Sequence, residues 1–372
     1  MHVMHVIDSL VPAGKERMLV EIANAFVDSG GKASVCVTRA DTTLAKELHN
    51  GIAINILNRR ATFDLSGLKK FKEFVKEQSP DVFHAHGRSS FSFLAFARMI
   101  GIISSPILLH DHFGSVEIDG SIPKWFRLFG KNQVAHYVGV CDQLGDWAYH
   151  AGIADHKISV IGNALDLSRI ITAIPLDLHQ ELEIDPDVLI GVVAGRIVYE
   201  KGLDILIRAV AKLNKQEKVK YLVIGDDEDR VFVQTCKKLA LDLNVLDEFI
   251  FLGIRDNVIQ YIKGADFAVM PSRSESGPLV LIEYMASGKP IVATQTGNIG
   301  QQAALKGVPG FSQPGNVDQM TQNLRELLSM SRAQRNRRGI DGKEIALQFF
   351  NIDQVMPEWK MLYNSIIFGS TN

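Results

Sequence analysis

Short apolar runs alternate with longer amphipathic segments along most of this chain. Such alternation is typical of βαβ units, in which a helix connects two parallel strands. The predicted strands lie at 3–8, 33–38, 52–57, 81–86, 107–112, 134–140, 158–161, 189–195, 221–227, 248–253, 266–270 and 291–294, and the clearest helices at 66–78, 202–214, 231–244, 257–265 and 349–368. The 372 residues suffice for about two domains. We therefore predict an α/β fold of two Rossmann-like domains facing each other across a cleft, with a ligand at the carboxyl ends of the strands.

The composition excludes several classes of protein. A net charge of −2 gives no reason to expect a nucleic-acid partner. No apolar run approaches the ~20 residues of a membrane span, and the first residues have no basic segment or cleavage site of a signal peptide. Cys36, Cys141 and Cys236 are far apart in apolar or helical contexts, which is typical of reduced core cysteines. We expect a cytoplasmic protein, at most peripherally attached to a membrane.

The stretch from 271 to 294 carries the strongest site pattern. It predicts a polar loop, a helix that starts with Pro278 as its first residue and ends at Gly288, and a further strand. Glu275 precedes the helix and Glu283 lies inside it, among apolar neighbours that predict burial and hence a partner for the carboxylate. Because a helix N-terminus favours anions, two flanking acids suit a ligand with hydroxyls at both ends and phosphate between, such as a nucleotide sugar. The alternative is two ordinary surface acids.

A second pattern, GRIVYEKG at 195–202, follows a predicted strand and opens a helix. Gly195 permits a tight turn, and Arg196 and Lys201 place two cations at the end of the strand. A guanidinium and an ammonium there suit a diphosphate, although a solvated loop is the alternative.

Together these residues resemble a known family. The Arg196/Lys201 pair and the E-x7-E spacing, within P-S-x-x-E and L-V-x-x-E-x-M-x-x-G-x-P-x-V-A, are similar to the retaining glycosyltransferases of GT-B architecture, family 4. VIGNALD at 160–166, FLGIRD at 251–256 and the closing helix extend the resemblance over nearly the whole chain. It implies an acceptor domain at 1–168, a nucleotide-sugar donor domain at 169–348, and a helix at 349–372 that returns to the first domain.

The resemblance also implies roles for single residues. Arg196 and Lys201 would hold the diphosphate, Glu283 would accept hydrogen bonds from the ribose hydroxyls, and Glu275 would contact the transferred sugar. Gly14, in the first loop, would let the backbone approach phosphate or acceptor. The full predicted donor set is Gly195, Arg196, Lys201, Gly253, Glu275, Gly277, Leu279, Val280 and Glu283.

Histidines form two H-x-H pairs at predicted strand ends, His84/His86 and His110/His112. Alternation along a strand places both members of a pair on one face. A metal site is the competing interpretation, but we expect the histidines to line the cleft without a metal. The resemblance places His112 beside the reacting sugar, with His110 as the second candidate. The predicted catalytic set is His112, Arg196, Lys201 and Glu275.

Two further segments have competing interpretations. Asp227 and Asp229 form a D-x-D pattern, which we interpret as a solvated loop rather than a metal site. The basic aromatic segment 122–132 predicts a short amphipathic helix that either contacts an anionic membrane or packs its aromatic residues on the first domain.

The chain also departs from the family pattern. Pro278 replaces a usual glycine and therefore removes one phosphate-facing N–H. Gln301 and Gln302 stand where an acid is common, and Ala164 and Ala13 replace glycines. These departures bear on the identity of the donor sugar and on acceptor geometry.

The resulting hypothesis is a metal-independent, retaining transfer of a hexose from a nucleotide diphosphate sugar to a glycan or lipid-linked saccharide, in surface polysaccharide or glycolipid synthesis. No cofactor is expected. The alternatives are a GT-B-like sugar-nucleotide epimerase or hydrolase, a non-catalytic nucleotide-sugar-binding subunit, and a metal hydrolase built on the histidines. Neither a Walker A sequence nor G-x-G-x-x-G is present, which argues against a kinase and a dinucleotide oxidoreductase.

Overall fold

The computed structural model of the protein describes residues 1–39, 41–60, 64–114, 120–213, 218–226 and 229–369. The chain divides into two compact units. The first unit is Met1–Leu165 with Ile352–Asn372, and the second unit is Asp166–Asn351. Each unit contains one parallel sheet with connecting helices, so the predicted pair of Rossmann-like α/β domains is confirmed.

The first unit is built on a seven-stranded sheet. Its strands are β1 (His2–Ile7), β2 (Lys32–Val37), β3 (Ala53–Ile56), β4 (Val82–His86), β5 (Ile107–Asp111), β6 (Val134–Gly139) and β7 (Ile158–Val160). Neighbouring strands follow the order β3-β2-β1-β4-β5-β6-β7, and every pair is parallel. The strand order reverses between β1 and β4, which is where ligands usually bind in such sheets.

Helices connect these strands and cover the sheet. They are α1 (Gly14–Asp28), α2 (Leu65–Gln78), α3 (Arg88–Met99), α4 (Lys124–Leu128), α5 (Asp142–His150) and α15 (Ile352–Phe368), with 3₁₀ turns at Thr43–Glu47, Gly130–Gln133 and Asp155–Lys157. α2 begins where the Asp64 carboxylate accepts hydrogen bonds from two backbone N–H groups, and its apolar stripe buries Phe71 completely. α15 packs on α1 and β4, so this unit contains a helix from the far end of the sequence.

The second unit has a six-stranded sheet. Its strands are β8 (Leu189–Ala194), β9 (Val219–Ile224), β10 (Phe249–Gly253), β11 (Phe267–Met270), β12 (Ile291–Thr294) and β13 (Phe311–Ser312). The order is β10-β9-β8-β11-β12-β13, again with parallel pairs only. Here the order reverses between β8 and β11, the strands that precede the two patterns singled out in the sequence.

The helices of the second unit are α6 (Ser168–Thr172), α7 (Leu178–Glu181), α8 (Leu203–Ala211), α9 (Arg230–Asp242), α10 (Val258–Gly264), α11 (Leu279–Ala286), α12 (Gly297–Leu305), α13 (Val317–Ser329) and α14 (Arg332–Phe349). Tyr199–Lys201 and Leu246–Glu248 are 3₁₀ turns. No helix was predicted from the sequence at α6, α7, α12, α13 or α14. Among the described residues, no helix has both the length and the apolar character needed to cross a bilayer.

Two local predictions need correction. Pro278 is the residue before α11 rather than its first residue, because its ψ of 101° is extended and the helix begins at Leu279. The segment 122–132 is not one helix: α4 ends at Leu128, and a 3₁₀ turn follows. Gly288, two residues beyond the end of α11, has the left-handed conformation predicted for it, φ +71°.

Candidate functional site

A pocket lies at the carboxyl ends of β8 and β11, at the reversal of strand order in the second unit. Its lining includes Gly195, Arg196, Lys201, Ser272, Glu275 and Val280. Five of these six residues belong to the predicted donor set. The structure therefore brings together, in one depression, residues that are up to about a fifth of the chain apart in sequence.

An ion pair forms one side of this pocket. Lys201 Nζ lies 2.6 Å from Glu275 Oε1, and the Ser272 hydroxyl donates to the same oxygen at 2.7 Å. The Glu275 backbone N–H donates to the hydroxyl of Thr296 at 3.1 Å. The Glu275 side chain is 10% exposed and that of Lys201 is 28% exposed. Both side chains are thus held in place while remaining accessible to a ligand.

Arg196 lies beside this pair and is exposed. Since Lys201 and Glu275 largely offset each other, Arg196 gives this part of the pocket a net positive charge. That charge suits an anion, and α11 begins close by with its free N–H groups.

Close backbone contacts fix the loop that carries the two cations. Gly202 has φ +67°, and a Cβ atom there would lie 2.1 Å from the carbonyl oxygen of Pro271. A Cβ atom on Gly225 would lie 1.8 Å from the carbonyl oxygen of Gly195. Only glycine permits such approach, so the loop after β8 is packed directly against the ends of β9 and β11.

Glu283, in α11, has the partner that its apolar surroundings predicted. Arg169 Nη2 lies 3.1 Å from Glu283 Oε1, and the two side chains are 32% and 19% exposed. The next residue, Tyr284, is completely buried, and its hydroxyl accepts a hydrogen bond from the Ala194 N–H at 2.7 Å. Burial raises the pKa of the Tyr284 hydroxyl, and the carboxylates of Glu283 and Glu275 raise it further. The charges of both glutamates therefore act on the Tyr284 hydroxyl, which is hydrogen-bonded to Ala194 at the end of β8.

The remaining predicted donor residues lie at varying distances from the pocket. Gly277 and Leu279 are half-buried at the start of α11. Gly253 ends β10, two strands away from β8, and its carbonyl accepts a hydrogen bond from the Gly225 N–H at 3.0 Å. Its position thus supports the loop rather than the pocket itself.

In the first unit, five histidines lie together on or just after three adjacent strands. His5 belongs to β1, His84 and His86 to β4, and His110 to β5, with His112 just beyond. The rings of His84 and His86 stack at 4.1 Å between centroids, and those of His110 and His112 lie 3.9 Å apart. The prediction that the two histidines of each pair share a face is confirmed, whereas His5 was not predicted to join them.

Hydrogen bonds connect this histidine cluster. His84 lies 2.8 Å from the Tyr363 hydroxyl through Nδ1 and 3.1 Å from His110 Nδ1 through Nε2. His5 Nδ1 lies 3.0 Å from His86 Nε2. His5, His84, His86 and His110 are completely buried, whereas His112 is half-buried. His110, the second candidate for the position beside the reacting sugar, is therefore covered by its neighbours.

Burial determines the protonation state of these histidines. It lowers the pKa of His5 and of His112 to about 3, with His2 and Lys15 respectively lowering it further. Burial and neighbouring histidines place the pKa values of His84, His86 and His110 well below the usual range. All five are neutral at pH 7. Two overlapping triads, His5/His84/His86 and His86/His110/His112, also have the ring-nitrogen spacing of a metal site.

The buried Asp111 and the half-buried Arg88 form a second group in the first unit. Arg88 Nε donates to Asp111 Oδ2 at 2.7 Å, and the Tyr137 hydroxyl donates to the same oxygen at 3.0 Å. The guanidinium lies 3.7 Å from the ring centroid of Trp147. The guanidinium thus lies against the negative charge of the Asp111 carboxylate.

Gly14 is the exposed first residue of α1, and a Cβ atom added there would have no heavy atom within 4 Å.

The D-x-D pattern lies only partly in the described region. Asp227 is outside the described residues. Asp229 precedes α9, where its side chain accepts a hydrogen bond from the Phe232 N–H at 3.0 Å.

Comparison with known proteins completes these observations. Residues 12–169 match the family model described as Glycosyltransferase Family 4, and residues 176–344 match the model described as Glycosyl transferases group 1. The chain belongs to the family 4 glycosyltransferases.

Individual relatives have low sequence identity to this chain but match it over most of its length. The glycosyltransferase is 24% identical over 315 residues to the N-acetyl-alpha-D-glucosaminyl L-malate synthase of Bacillus anthracis, covering 83% of this chain and 81% of that protein. It is 25% identical over 292 residues to the lipopolysaccharide core biosynthesis glycosyltransferase LpsE of Rhizobium meliloti, covering 76% of each. The crystal structure of Anabaena HepE in complex with UDP-glucose matches with a TM-score of 0.83 at 20% identity, covering 98% of this chain and 100% of that one. The predicted GT-B fold is confirmed.

Several residues around the glycosyltransferase pocket were missed by sequence reasoning. Ser272 stands in the P-S-x-x-E motif, so its spacing of three residues from Glu275 was a usable signal. Arg169 and Thr296 gave no such signal, since only the folded chain brings them to Glu283 and Glu275.

Proposed function

We propose that the glycosyltransferase moves a hexose from a nucleotide diphosphate sugar to a glycan or lipid-linked saccharide, with retention of anomeric configuration. The observation that carries this proposal is the pocket in which Arg196 and the Lys201–Glu275 pair meet at the ends of β8 and β11. A structural neighbour of the same fold is described in complex with UDP-glucose, which supports a sugar nucleotide as the donor.

The proposed mechanism is largely electrostatic. Negative charge grows on the diphosphate as the bond to the sugar breaks, and fixed positive groups stabilise that charge. Arg196 offers a planar, bidentate donor. Lys201 has three N–H donors, and the hydrogen bond to Glu275 uses one of them, which leaves two for phosphate oxygens. Same-face attack assisted by the leaving phosphate accounts for retention without a covalent nucleophile.

Glu275 and His112 contact the sugar in this proposal. Ser272 and Lys201 hold one Glu275 oxygen, so the other can accept a hydrogen bond from a sugar hydroxyl. His112 is half-buried and neutral at pH 7, with its pKa lowered to about 3 by burial, so it would act through hydrogen bonding rather than charge. His110 would hold His112 in position through the contact between their rings.

The test compares variants of the two cations with a matched control. Arg196→Ala and Lys201→Ala should each lower turnover by roughly 10²–10³-fold, the usual cost of removing one donor to a developing anion. Arg208→Ala removes an exposed arginine of α8 and should leave turnover unchanged. The donor is found first by a thermal-shift screen of UDP-, GDP- and ADP-sugars, because a ligand at 100 times its Kd stabilises by about 2.7 kcal/mol.

Each alternative predicts a different result. Near-wild-type turnover in both cation variants contradicts the mechanism. Free sugar or an epimer as the product in place of a glycoside indicates the hydrolase or the epimerase. Donor binding without turnover in the presence of acceptor extracts indicates a binding subunit. We propose that no metal takes part, and turnover lost in EDTA and restored by zinc would contradict this.

The acceptor and the location follow from the same proposal. The LpsE relative is named for lipopolysaccharide core biosynthesis, which supports a saccharide or lipid-linked acceptor and a role in surface polysaccharide or glycolipid synthesis. We place the enzyme in the cytoplasm, with contact to the inner face of the membrane through residues 122–132.

The structure of this segment supports the contact. Phe126 is buried, but Leu128 and Phe129 are 65% and 63% exposed, with the exposed cations Lys124 and Arg127 beside them. Flotation with anionic liposomes should weaken in Leu128→Ser and not in Leu305→Ser, a control at an 83% exposed leucine of the second unit. Equal flotation of the two variants contradicts the contact.

A further inference from the structure

We propose that Arg169 is a positioning residue for the donor nucleotide. It holds the Glu283 carboxylate in the orientation that accepts the ribose hydroxyls. This inference rests on the proposed function, which places a nucleotide diphosphate sugar beside α11. Arg169 lies on a different element from every residue assigned to the donor above, and it acts through Glu283 rather than by touching the ligand.

The hydrogen bond from Arg169 reaches one of the two carboxylate oxygens of Glu283. Arg169 Nη2 lies 3.1 Å from Glu283 Oε1, and Oε2 has no hydrogen-bond partner among the described residues. An ionised carboxylate can accept about four hydrogen bonds, so the free oxygen can accept from a ribose diol while Arg169 holds the other. A carboxylate fixed at one oxygen is pre-organised for its ligand.

Burial makes such a partner necessary. The Glu283 side chain is 19% exposed, and its helix neighbours Ile282 and Tyr284 are completely buried. A half-buried carboxylate without a cation would be desolvated at a cost, or would turn toward solvent. The ion pair with Arg169 offsets the cost of desolvation and keeps the carboxylate from turning toward solvent.

The support beneath Arg169 is rigid. α6 has five residues, too few for a stable isolated helix. At its start, the Asp166 carboxylate accepts hydrogen bonds from the N–H and the hydroxyl of Ser168, at 2.9 and 2.8 Å. At its end, Lys263 Nζ donates to the carbonyls of Ile170 and Ile171, at 3.2 and 2.7 Å. Ile170 is completely buried, so α6 is fixed at both ends and along one side.

This arrangement predicts a specific loss. Without Arg169, the enzyme should lose affinity for the ribose hydroxyls and keep its affinity for the diphosphate. We expect Arg169→Ala to weaken UDP binding and raise the donor KM about tenfold, since hydrogen bonds to charged groups contribute about 1.5–3 kcal/mol. kcat should change less than about threefold, because ribose contacts are made equally in the ground and transition states.

The experiment uses a nucleotide that lacks the hydroxyls. Full-length wild type, Arg169→Ala, Arg169→Lys and Arg337→Ala are titrated with UDP and with 2′,3′-dideoxy-UDP, and in parallel with the GDP and ADP pairs, because all share the ribose. Arg337 forms an exposed ion pair with Asp341 in α14 and serves as the matched control. Wild type and Arg337→Ala should prefer the ribose form about tenfold or more, by the same hydrogen-bond magnitude.

Arg169→Ala should show little preference and bind the dideoxy form as tightly as wild type does. Arg169→Lys should be intermediate, because lysine restores the charge and not the fork geometry. Equal weakening of both forms in Arg169→Ala, or an undiminished preference for ribose, overturns the inference and leaves the proposed function intact. No binding of any of these nucleotides by wild type, or binding unaffected by Arg196→Ala, overturns the proposed function itself and the inference with it.

Discussion

Gly202 decides how closely Lys201 can approach the end of β11. Its φ of +67° is left-handed, and a Cβ atom at this position would lie 2.1 Å from the Pro271 carbonyl oxygen, so there is room for hydrogen alone. The lysine that precedes it pairs with Glu275, four residues beyond Pro271. A side chain at position 202 would therefore separate the two halves of the ion pair.

We expect Gly202→Ala to destabilise the second unit by several kcal/mol and to weaken donor binding. Gly307→Ala is the matched control, since Gly307 also has a positive φ, +86°, but open space around it. The control should lose only the roughly 1–2 kcal/mol of a left-handed residue with a Cβ. Urea unfolding of the two variants measures the difference. Equal losses would show that the contact with Pro271 relaxes at little cost.

For single residues, the sequence predicted what depends on near neighbours in the chain and did not predict contacts made only in the folded protein. The apolar neighbours of Glu283 predicted that its carboxylate needs a partner, because that argument is local. They did not identify Arg169, which lies 114 residues earlier and meets Glu283 only in the folded chain. Whether the predicted donor residues bind a donor stays a prediction, to be tested by the variants above.

At the scale of elements, three strands and one helix enclose the histidine cluster. β1, β4 and β5 supply the histidines, and α15 covers them with Trp359 and Tyr363, both completely buried. The Trp359 ring lies 4.8 Å from His110 and 5.1 Å from His84, between centroids. The cluster therefore joins the sheet to the helix through hydrogen bonds among neutral groups, and it depends on those groups remaining uncharged.

This dependence predicts acid sensitivity. The folded pKa values of the five histidines are lowered, to about 3 for His5 and His112, whereas an unfolded histidine titrates near 6.5. Below pH 6.5 the unfolded state binds protons that the folded state does not. Stability is therefore complete above that pH and falls as the pH drops toward 3. Each such histidine contributes a slope of about 1.4 kcal/mol per pH unit.

The measurement is urea unfolding at pH 7 and pH 5, followed by tryptophan fluorescence. All three tryptophans, Trp125, Trp147 and Trp359, lie in the first unit, so their fluorescence reports on it alone. His86→Gln should reduce the loss between the two pH values by about 2 kcal/mol. His156→Gln, at an exposed histidine, should leave it unchanged. An identical pH dependence in all three proteins would show that His86 is protonated in the folded state.

Helices and strands were predicted well where the pattern of apolar residues in the sequence is clear. Most strands fell within one residue of their predicted ends, because buried parallel strands read as continuous apolar runs. β9 ends three residues before its predicted end, and β13 was not predicted. The prediction failed for α12, and for the entry into α11 at Pro278. There the backbone conformation depends on tertiary contacts: Gly297, at the start of α12, has φ +65° and lies against the carbonyls of Glu275 and Ser276.

At the scale of the molecule, the chain is not divided into two consecutive segments. The first unit consists of two separate pieces, and His84 bonds to Tyr363 across 279 residues of sequence. A returning helix could be predicted only from the family resemblance, because amphipathic periodicity indicates a buried face without indicating what it packs against. The helix contributes its largest buried side chain, Trp359, to the first unit.

We expect Trp359→Ala to destabilise the first unit by about 3–5 kcal/mol, the usual cost of removing a large buried aromatic side chain. Met361→Ala, at a 67% exposed position of the same helix, is the control and should change stability by less than about 0.5 kcal/mol. Hydrogen exchange resolved by mass spectrometry separates the units. Protection should fall in β1, β4 and β5 and remain in β8 to β12. Equal loss in both sheets would show that the units unfold together.

The return of α15 sets an order of events during synthesis. Residues 166–351 form an uninterrupted stretch, so the second unit has all of its parts once the ribosome has released residue 351. The first unit is synthesised up to residue 165 much earlier, but it lacks the helix that packs on its histidine cluster until residues 352–368 emerge. The unit whose synthesis begins first is therefore the last to be complete. Nascent chains that stall before α15 would contain all of the second unit and a first unit that lacks Trp359 and Tyr363, the side chains that cover its histidine cluster.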